Sequence, residues 1–450
     1  MNSRARDLTT GPLIKQILIF SLPLIASGML QQLFNSCDIA VVGRFVGPEA
    51  LAAVGSTAPL INLVLNIFMG LSVGANVLIA SLEGQKKYKD ISSAVHTIIL
   101  LSLICGFLLT GLGFCFSGKI LVWIETPVEV LESADVYLKI YFLGFPFILL
   151  YNFGAAVLRG KGESFKPAAF LIVAGLLNVV MNLVFVLCFG MGAAGVGIAT
   201  TLSNVFSSAC ILVALSRERD EYRFSVKKLS LARHHCSVIF RIGMPAGIQG
   251  IVFSLSNLVI QGALNTLGSK VMAGSASGVT FEIFGYFIVS AFVQCAVTFS
   301  SQNYGAGNIK RCRQSYYYCM LMSVFLTMAF SIIFTVFRFP LSELYSKDPE
   351  AVQYCAERIL KVEIVQFLIN SYEITAGALR GLGCSLTPAL ITIVGTCSLR
   401  LVWIGTVFPR FNTYESILFV YPVSWVVTGT AMIIAYVVYT REKFSELEHK

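Results

Sequence analysis

Apolar runs long enough to cross a lipid bilayer recur along almost the whole of this 450-residue chain, from Leu13 to Val438. A crossing helix needs about 20 predominantly apolar residues, because the hydrocarbon core is roughly 30 Å thick and each helical residue advances about 1.5 Å. Only 13% of the residues are charged and 56% are hydrophobic, whereas soluble domains carry about 25% charged residues. A soluble enzyme is thereby excluded. Barrel strands would alternate apolar and polar residues in segments of about 10, and no such alternation dominates. The pattern predicts an all-α membrane protein with twelve crossings, at residues 13–44, 49–81, 91–117, 130–158, 167–189 and 193–215, then 237–267, 270–301, 314–337, 350–379, 388–408 and 415–440.

The basic excess, +9 at pH 7, does not point to nucleic acid, for no soluble basic domain exists to bind it. It follows the crossings instead. Twenty-three of the 33 Lys and Arg fall at one set of helix ends, among them Lys86, Lys87, Arg159, Lys161, Lys310 and Arg311. The positive-inside rule makes that side cytoplasmic and puts both termini there. Arg4, Arg6 and Lys15 ahead of an apolar run imitate a signal peptide, but the run continues to Val42 and reads as the first membrane helix. The twelve cysteines lie mostly inside apolar segments without metal-type spacing, as small core residues of a reduced protein do.

The chain also repeats itself. Residues 155–173, AAVLRGKGESFKPAAFLIV, align with 376–394, AGALRGLGCSLTPALITIV, with ten of nineteen positions identical. Pro23, Gly28 and Asn35 recur as Pro245, Gly250 and Asn257. Each repeat holds an even number of helices, so the halves share one topology. Two six-helix bundles related by a pseudo-two-fold axis along the membrane normal are expected, with a solute site at their seam. The divisions are residues 1–216 for the amino-terminal lobe, 217–236 for a cytoplasmic linker and 237–450 for the carboxy-terminal lobe. An enzyme would need a reactive constellation, and the chain has no HExxH, no GxSxG and only four His.

Several residues stand out by chemistry and depth. Asp38 is an acid inside a membrane helix, costing about 2.5–3.5 kcal/mol or more, so such a group usually faces a cavity. Helical rise places it roughly 9 Å from the outer face, Asn182 about 8 Å and Thr200 about 10 Å. Asn178 and Asn182, four apart, share a helix face. An acid among amides and a hydroxyl can hold either a proton or a sodium ion. Glu282 lies near mid-membrane and is the second candidate, as a proton site or an attraction for cationic substrate; pairing with another helix is the alternative. Asn35, Asn62 and Asn66 are polar candidates for a substrate cavity, and Pro23 permits a bend in the first helix. Arg400, inside the eleventh helix, is expected to pair with Glu363 or Glu373.

The segments LPLIASGMLQQLFNSCDIAVVGRFVG, VLRGKG, LLNVVMNLVFV, SSQNYGAGNIKR and ALRGLG, in this order and across both halves, resemble the multidrug and toxic compound extrusion (MATE) family. The resemblance implies a twelve-helix antiporter of the plasma membrane that expels organic cations and drugs in exchange for H+ or Na+. It implies no cofactor and no obligate protein partner; small lipophilic molecules and the bilayer are what such a protein meets. It also implies a cation site at the positions of Asp38, Asn178, Asn182 and Thr200. Two positions depart from the family pattern: many members carry an acid where Asn182 stands, and Ser254 occupies a place where others carry Glu. The alternatives are a flippase for lipid-linked precursors, which should have 14 helices and a strongly cationic cavity, and a metabolite exporter of the same superfamily. A major-facilitator protein should carry a GxxxDxxxRxGRR-like loop after the second helix, where this chain has EGQKKYKD.

Overall fold

The computed structural model describes residues 7–448 apart from Glu125 and Arg219, and among these residues there is no β-strand. The first half is built from α1 (Leu13–Val41), α2 (Pro48–Gly84), α3 (Tyr88–Trp123), α4 (Val128–Gly160), α5 (Phe165–Leu183) and α6 (Gly192–Arg217). The second half begins with α7 (Arg233–Asn265), α8 (Ser269–Gly305), α9 (Ile309–Val336) and the short α10 (Arg338–Glu343). Then come α11 (Pro349–Lys361), α12 (Ile369–Gly381), α13 (Leu386–Thr392), α14 (Leu399–Thr406), α15 (Phe408–Phe411), α16 (Tyr414–Leu418) and α17 (Val420–Glu448).

Eleven spans among the described residues are long and apolar enough to cross a membrane. The tenth expected crossing, at 350–379, is not a single helix. It is α11, a 3-10 stretch at Glu363–Leu368 and α12. The reason is chemical: Glu350, Glu357, Arg358, Lys361 and Glu363 fall within this part of the chain, and a segment so charged must bury its polar groups against protein rather than lipid. The eleventh crossing is interrupted too, by a π turn at Ile393–Ser398.

By packing the chain forms two compact units. One comprises Asp7 together with Ala26–Gly243; the other comprises Leu8–Ile25 with Met244–Lys450. The changes of unit therefore fall inside helices, in α1 two residues after Pro23 and in α7 just before Pro245.

In the first unit α4 is the central helix, flanked by α2, α3 and α6. Small residues let the backbones approach, as in other membrane bundles. A Cβ on Gly106 of α3 would lie 2.4 Å from the Cα of Pro146 on α4, and one on Gly113 would enter the Phe142 ring. The segment between α6 and α7 is docked on this unit. Tyr222 donates to Glu83 (2.6 Å), the Ser225 N–H donates to His96 Nε2 (3.1 Å), and Lys161 and Lys166 both reach Glu218 (2.7 and 2.9 Å). Burial pushes the Glu218 carboxyl up, but the hydrogen bonds and charges of the two lysines outweigh it and hold the group below the usual carboxylate range.

In the second unit α8 is central, against α9, α11 and α12. Arg311, the last residue of the SSQNYGAGNIKR segment, secures the start of the chain to this unit. Its guanidinium donates to the carbonyls of Leu8 (2.9 Å), Thr10 (2.8 Å) and Gly11 (2.8 Å) and to Gln16 Oε1 (2.7 Å). A planar fork of five donors suits such a cluster of acceptors.

The twin LRGxG motifs have one physical explanation, used twice. A Cβ on Gly160 would lie 2.8 Å from Ile79 on α2, and one on Gly381 would lie 2.6 Å from the Val297 carbonyl on α8, so both sites need the closest helix approach. Gly162 (φ 96°) and Gly383 (φ 86°) then take the left-handed conformation that ends a helix. The closing bonds match as well: Glu163 N–H to Leu158 O and Cys384 N–H to Leu379 O, both 2.9 Å.

Candidate ion-coupling site

Three helices of the first unit bring Asp38, Asn178, Asn182 and Thr200 together. The approach of α1 to α5 is set by Gly175. A Cβ there would lie 2.1 Å from the Phe34 ring, which occupies the space instead. Phe34 and Asp38 are four apart on α1, and Gly175, Asn178 and Asn182 are spaced three and seven along α5, so each set lies on one helix face. The contact that needs a glycine thus brings the carboxylate of one helix to the amides of the other.

Asn182 is fully buried and its Nδ2 donates to Asp38 Oδ1. With the Asn178 amide assigned by the partners around it, its nitrogen donates to the same carboxylate at 3.1 Å to Oδ1 and 3.0 Å to Oδ2, and its oxygen accepts the Thr200 backbone N–H at 3.3 Å. Thr200 of α6 is half-buried, and its Oγ1 also lies 3.3 Å from the Asn178 amide. Asn182 Oδ1 is buried without a hydrogen-bond partner. Both helices change pitch just beyond the cluster, α1 into a π turn at Val42–Val46 and α5 into one at Val184–Cys188; such turns recur at functional sites. Tyr137 on α4 is buried in the apolar cluster that also holds Val41 and Val42, the residues that follow the Asp38 turn.

We expect Gly175→Val to separate α1 from α5 and to lower the melting temperature of the purified protein, with helical content and membrane insertion unchanged. A melting temperature equal to that of the unmodified protein would show that the Asp38 cluster tolerates the gap.

The remaining expected residues lie apart from this cluster. Asn35 is exposed, one turn before Asp38; on α2, Asn62 is exposed and Asn66 half-buried. Pro23 lies inside α1. Glu282, in the second unit, is clamped by Arg358, with Nε–Oε1 at 2.5 Å and Nη2–Oε2 at 3.1 Å, and Arg358 Nη1 donates to Ser275 (2.9 Å). Pairing with another helix is therefore what the fold gives it. Arg358 itself is 1% exposed. Arg400 is a correction, since it pairs with neither Glu363 nor Glu373. It donates to Asn257 Oδ1 (3.1 Å) and Ser424 (3.3 Å) and lies over the rings of Phe253 and Tyr421, at 5.3 and 4.8 Å. Stacking on aromatic faces suits a weakly hydrated guanidinium.

Comparison with known proteins agrees with the duplicated fold. The MatE family model matches the chain twice, at residues 23–184 and 245–404. Together the matches cover most of the chain and fall one in each half, and the chain belongs to this family of multidrug and toxic compound extrusion transporters. It is a transporter, not an enzyme. The chain is 28% identical over 389 residues to the probable multidrug resistance protein YoeA of Bacillus subtilis, covering 84% of this chain and 83% of that one. It is 25% identical over 366 residues to the FAD transporter of Shewanella oneidensis, covering 78% and 79%. A MOP superfamily transporter from Pyrococcus furiosus has the same fold, with a TM-score of 0.90 at 22% identity over 100% of this chain and 99% of that one.

Proposed function

We propose that this multi-pass membrane protein is a secondary active antiporter that exports organic cations or drugs from the cell in exchange for H+ or Na+. The observation that carries the reading is the Asp38 cluster: one carboxylate, no Lys or Arg within ion-pair distance among the described residues, and two amides from α5 as its partners. An isolated acid in a membrane bundle is expensive to keep unless its charge has a use, and binding a cation from one side and releasing it to the other is such a use. Both amides present nitrogen to the carboxylate, which steadies its charged form; a proton would displace one N–H donor, and sodium would draw an amide oxygen such as Asn182 Oδ1 inward.

In this reading the protein lies in the plasma membrane with both termini cytoplasmic, as the Lys and Arg bias supports. The exposed amides of Asn35 and Asn62, together with Asn66, serve the substrate path, and a bend at Pro23 links occupancy of Asp38 to helix shape. Glu282 holds α8 to α11 through Arg358. A metabolite cargo is the second reading, supported by the resemblance to the FAD transporter of Shewanella oneidensis.

The test is efflux from proteoliposomes under separately imposed proton and sodium gradients, with the electrical potential clamped. Ethidium driven out by one of the two gradients, which then names the coupling ion, is the expected result. Movement of a flavin nucleotide but of no organic cation would transfer the reading to metabolite export, and movement of neither would remove it.

A further inference from the structure

The second unit holds another interior acid whose surroundings differ from those of Glu282. Glu363 opens the 3-10 stretch between α11 and α12 and is fully buried. No Lys or Arg nitrogen among the described residues lies within ion-pair distance of it. Ser331 of α9 reaches Oε1 by a long 3.5 Å bond, and Oε2 has no hydrogen-bond partner. One turn on, Gln366 is 2% exposed. Its amide nitrogen donates to the Glu282 carbonyl at 2.6 Å, which fixes the amide and leaves Oε1 buried and unpartnered.

The two side chains converge over one residue. A Cβ on Gly285 of α8 would lie 1.9 Å from Gln366 Oε1 and 3.2 Å from Glu363 Oε1. The glycine therefore leaves room for an amide oxygen and a carboxylate oxygen to face a common space. Burying polar oxygens without partners is costly, most of all for a charged group, and such atoms persist where something else satisfies them. The charges around Glu363 are few. On α8 there is Glu282, on α11 Arg358, on α9 only the Ser331 hydroxyl, and on α17 the Tyr421 ring beneath Arg358. Arg358 is already committed to Glu282 by two hydrogen bonds. Two carboxylates therefore share one local guanidinium, and one positive charge balances the group.

We propose that Glu363, Gln366 and Ser331 form a second monovalent-cation site, in the carboxy-terminal unit, that takes one proton or one sodium ion. All its ligands are oxygens, as hard cations prefer. A proton on Glu363 would convert an acceptor into a donor beside the unpartnered Gln366 oxygen; a sodium ion would take the same oxygens as ligands. The site stands apart from the antiport reading, because its occupancy is measured on the purified full-length protein without substrate.

Two readouts separate the two cations. If a proton is bound, the infrared carbonyl stretch of a protonated carboxylic acid loses one component in Glu363→Gln and keeps that component in Asp38→Asn. If sodium is bound, heating the protein in sodium chloride rather than choline chloride raises its melting temperature, and Glu363→Gln removes that difference. Gln366→Met, which deletes the amide oxygen at similar volume, weakens sodium affinity at least tenfold in the second case and shifts the acid band in the first, as loss of a supporting ligand does. It also provides the test should the Glu363 variant fail to fold. No acid band assignable to Glu363 together with no sodium response in the unmodified protein overturns the proposal, as does full retention of either signal in both variants.

Discussion

Asp38→Asn is expected to abolish gradient-driven efflux while leaving a folded protein that still binds its substrate. The substitution keeps the size of the side chain and one oxygen to accept from Asn182 or Asn178, so the α1–α5 contact over Gly175 persists. What disappears is the ability to alternate between a charged and a neutral state. In proteoliposomes the variant should release ethidium no faster than protein-free vesicles under a proton gradient, with dye binding within about twofold of the unmodified protein. The companion substitution Asn182→Asp restores a second acid beside the first. Two carboxylates together bind a hard cation more strongly than one, so this variant should gain a sodium-stimulated component of efflux. Efflux by Asp38→Asn at the unmodified rate would remove Asp38 from the coupling step and leave the buried orphan oxygen of Asn182 without a role.

The second large effect is expected at Arg358. Its side chain is buried, paired twice with Glu282, bonded to Ser275 and stacked on Tyr421 at 5.0 Å. Arg358→Met strips the cation from two acids at once, and breaking a buried pair from one side costs about 3–5 kcal/mol, because the remaining charge has no partner. We expect the variant to melt far below the unmodified protein in detergent, or to fail to assemble. Combining it with Glu282→Gln should restore much of the loss, since removing both charges avoids an unpaired ion. Equal damage from the single and double variants would mean that the guanidinium serves mainly as packing, through Gly278, where a Cβ would lie 2.8 Å from the Arg358 side chain.

Comparing these two sites shows what a sequence of this kind discloses. The Asp38 cluster was legible because helical rise is constant: counting residues from each helix end placed Asp38, Asn182 and Thr200 at one depth, and the four-residue spacing of Asn178 and Asn182 assigned them a face. The repeat was legible because the same backbone demands, a close approach at Gly160 and Gly381 and a left-handed turn at Gly162 and Gly383, recur in both halves. The Glu282–Arg358 pair was not. It depends on the relative register of α8 and α11, which no periodicity within either helix sets. The break at Glu363 was hidden by the same charges that cause it, for charged residues near the end of an apolar run read as a boundary with water. Arg400 misled for a related reason: a buried cation suggests a carboxylate, yet two aromatic faces, an amide and a hydroxyl hold this one.

The grip of Arg311 on the start of the chain bears on the order in which the protein is made. The guanidinium and the Leu8 carbonyl it holds are 303 residues apart, and residues Leu8–Ile25 pack with Met244–Lys450 rather than with Ala26–Gly243. At about 5–20 residues per second, roughly 15–60 s of synthesis separate the two partners. For that interval the opening half of the first helix has been translated without the surface it will finally cover. The insertion machinery must keep it from settling elsewhere, and the last helices to emerge complete a unit whose first piece was made at the outset.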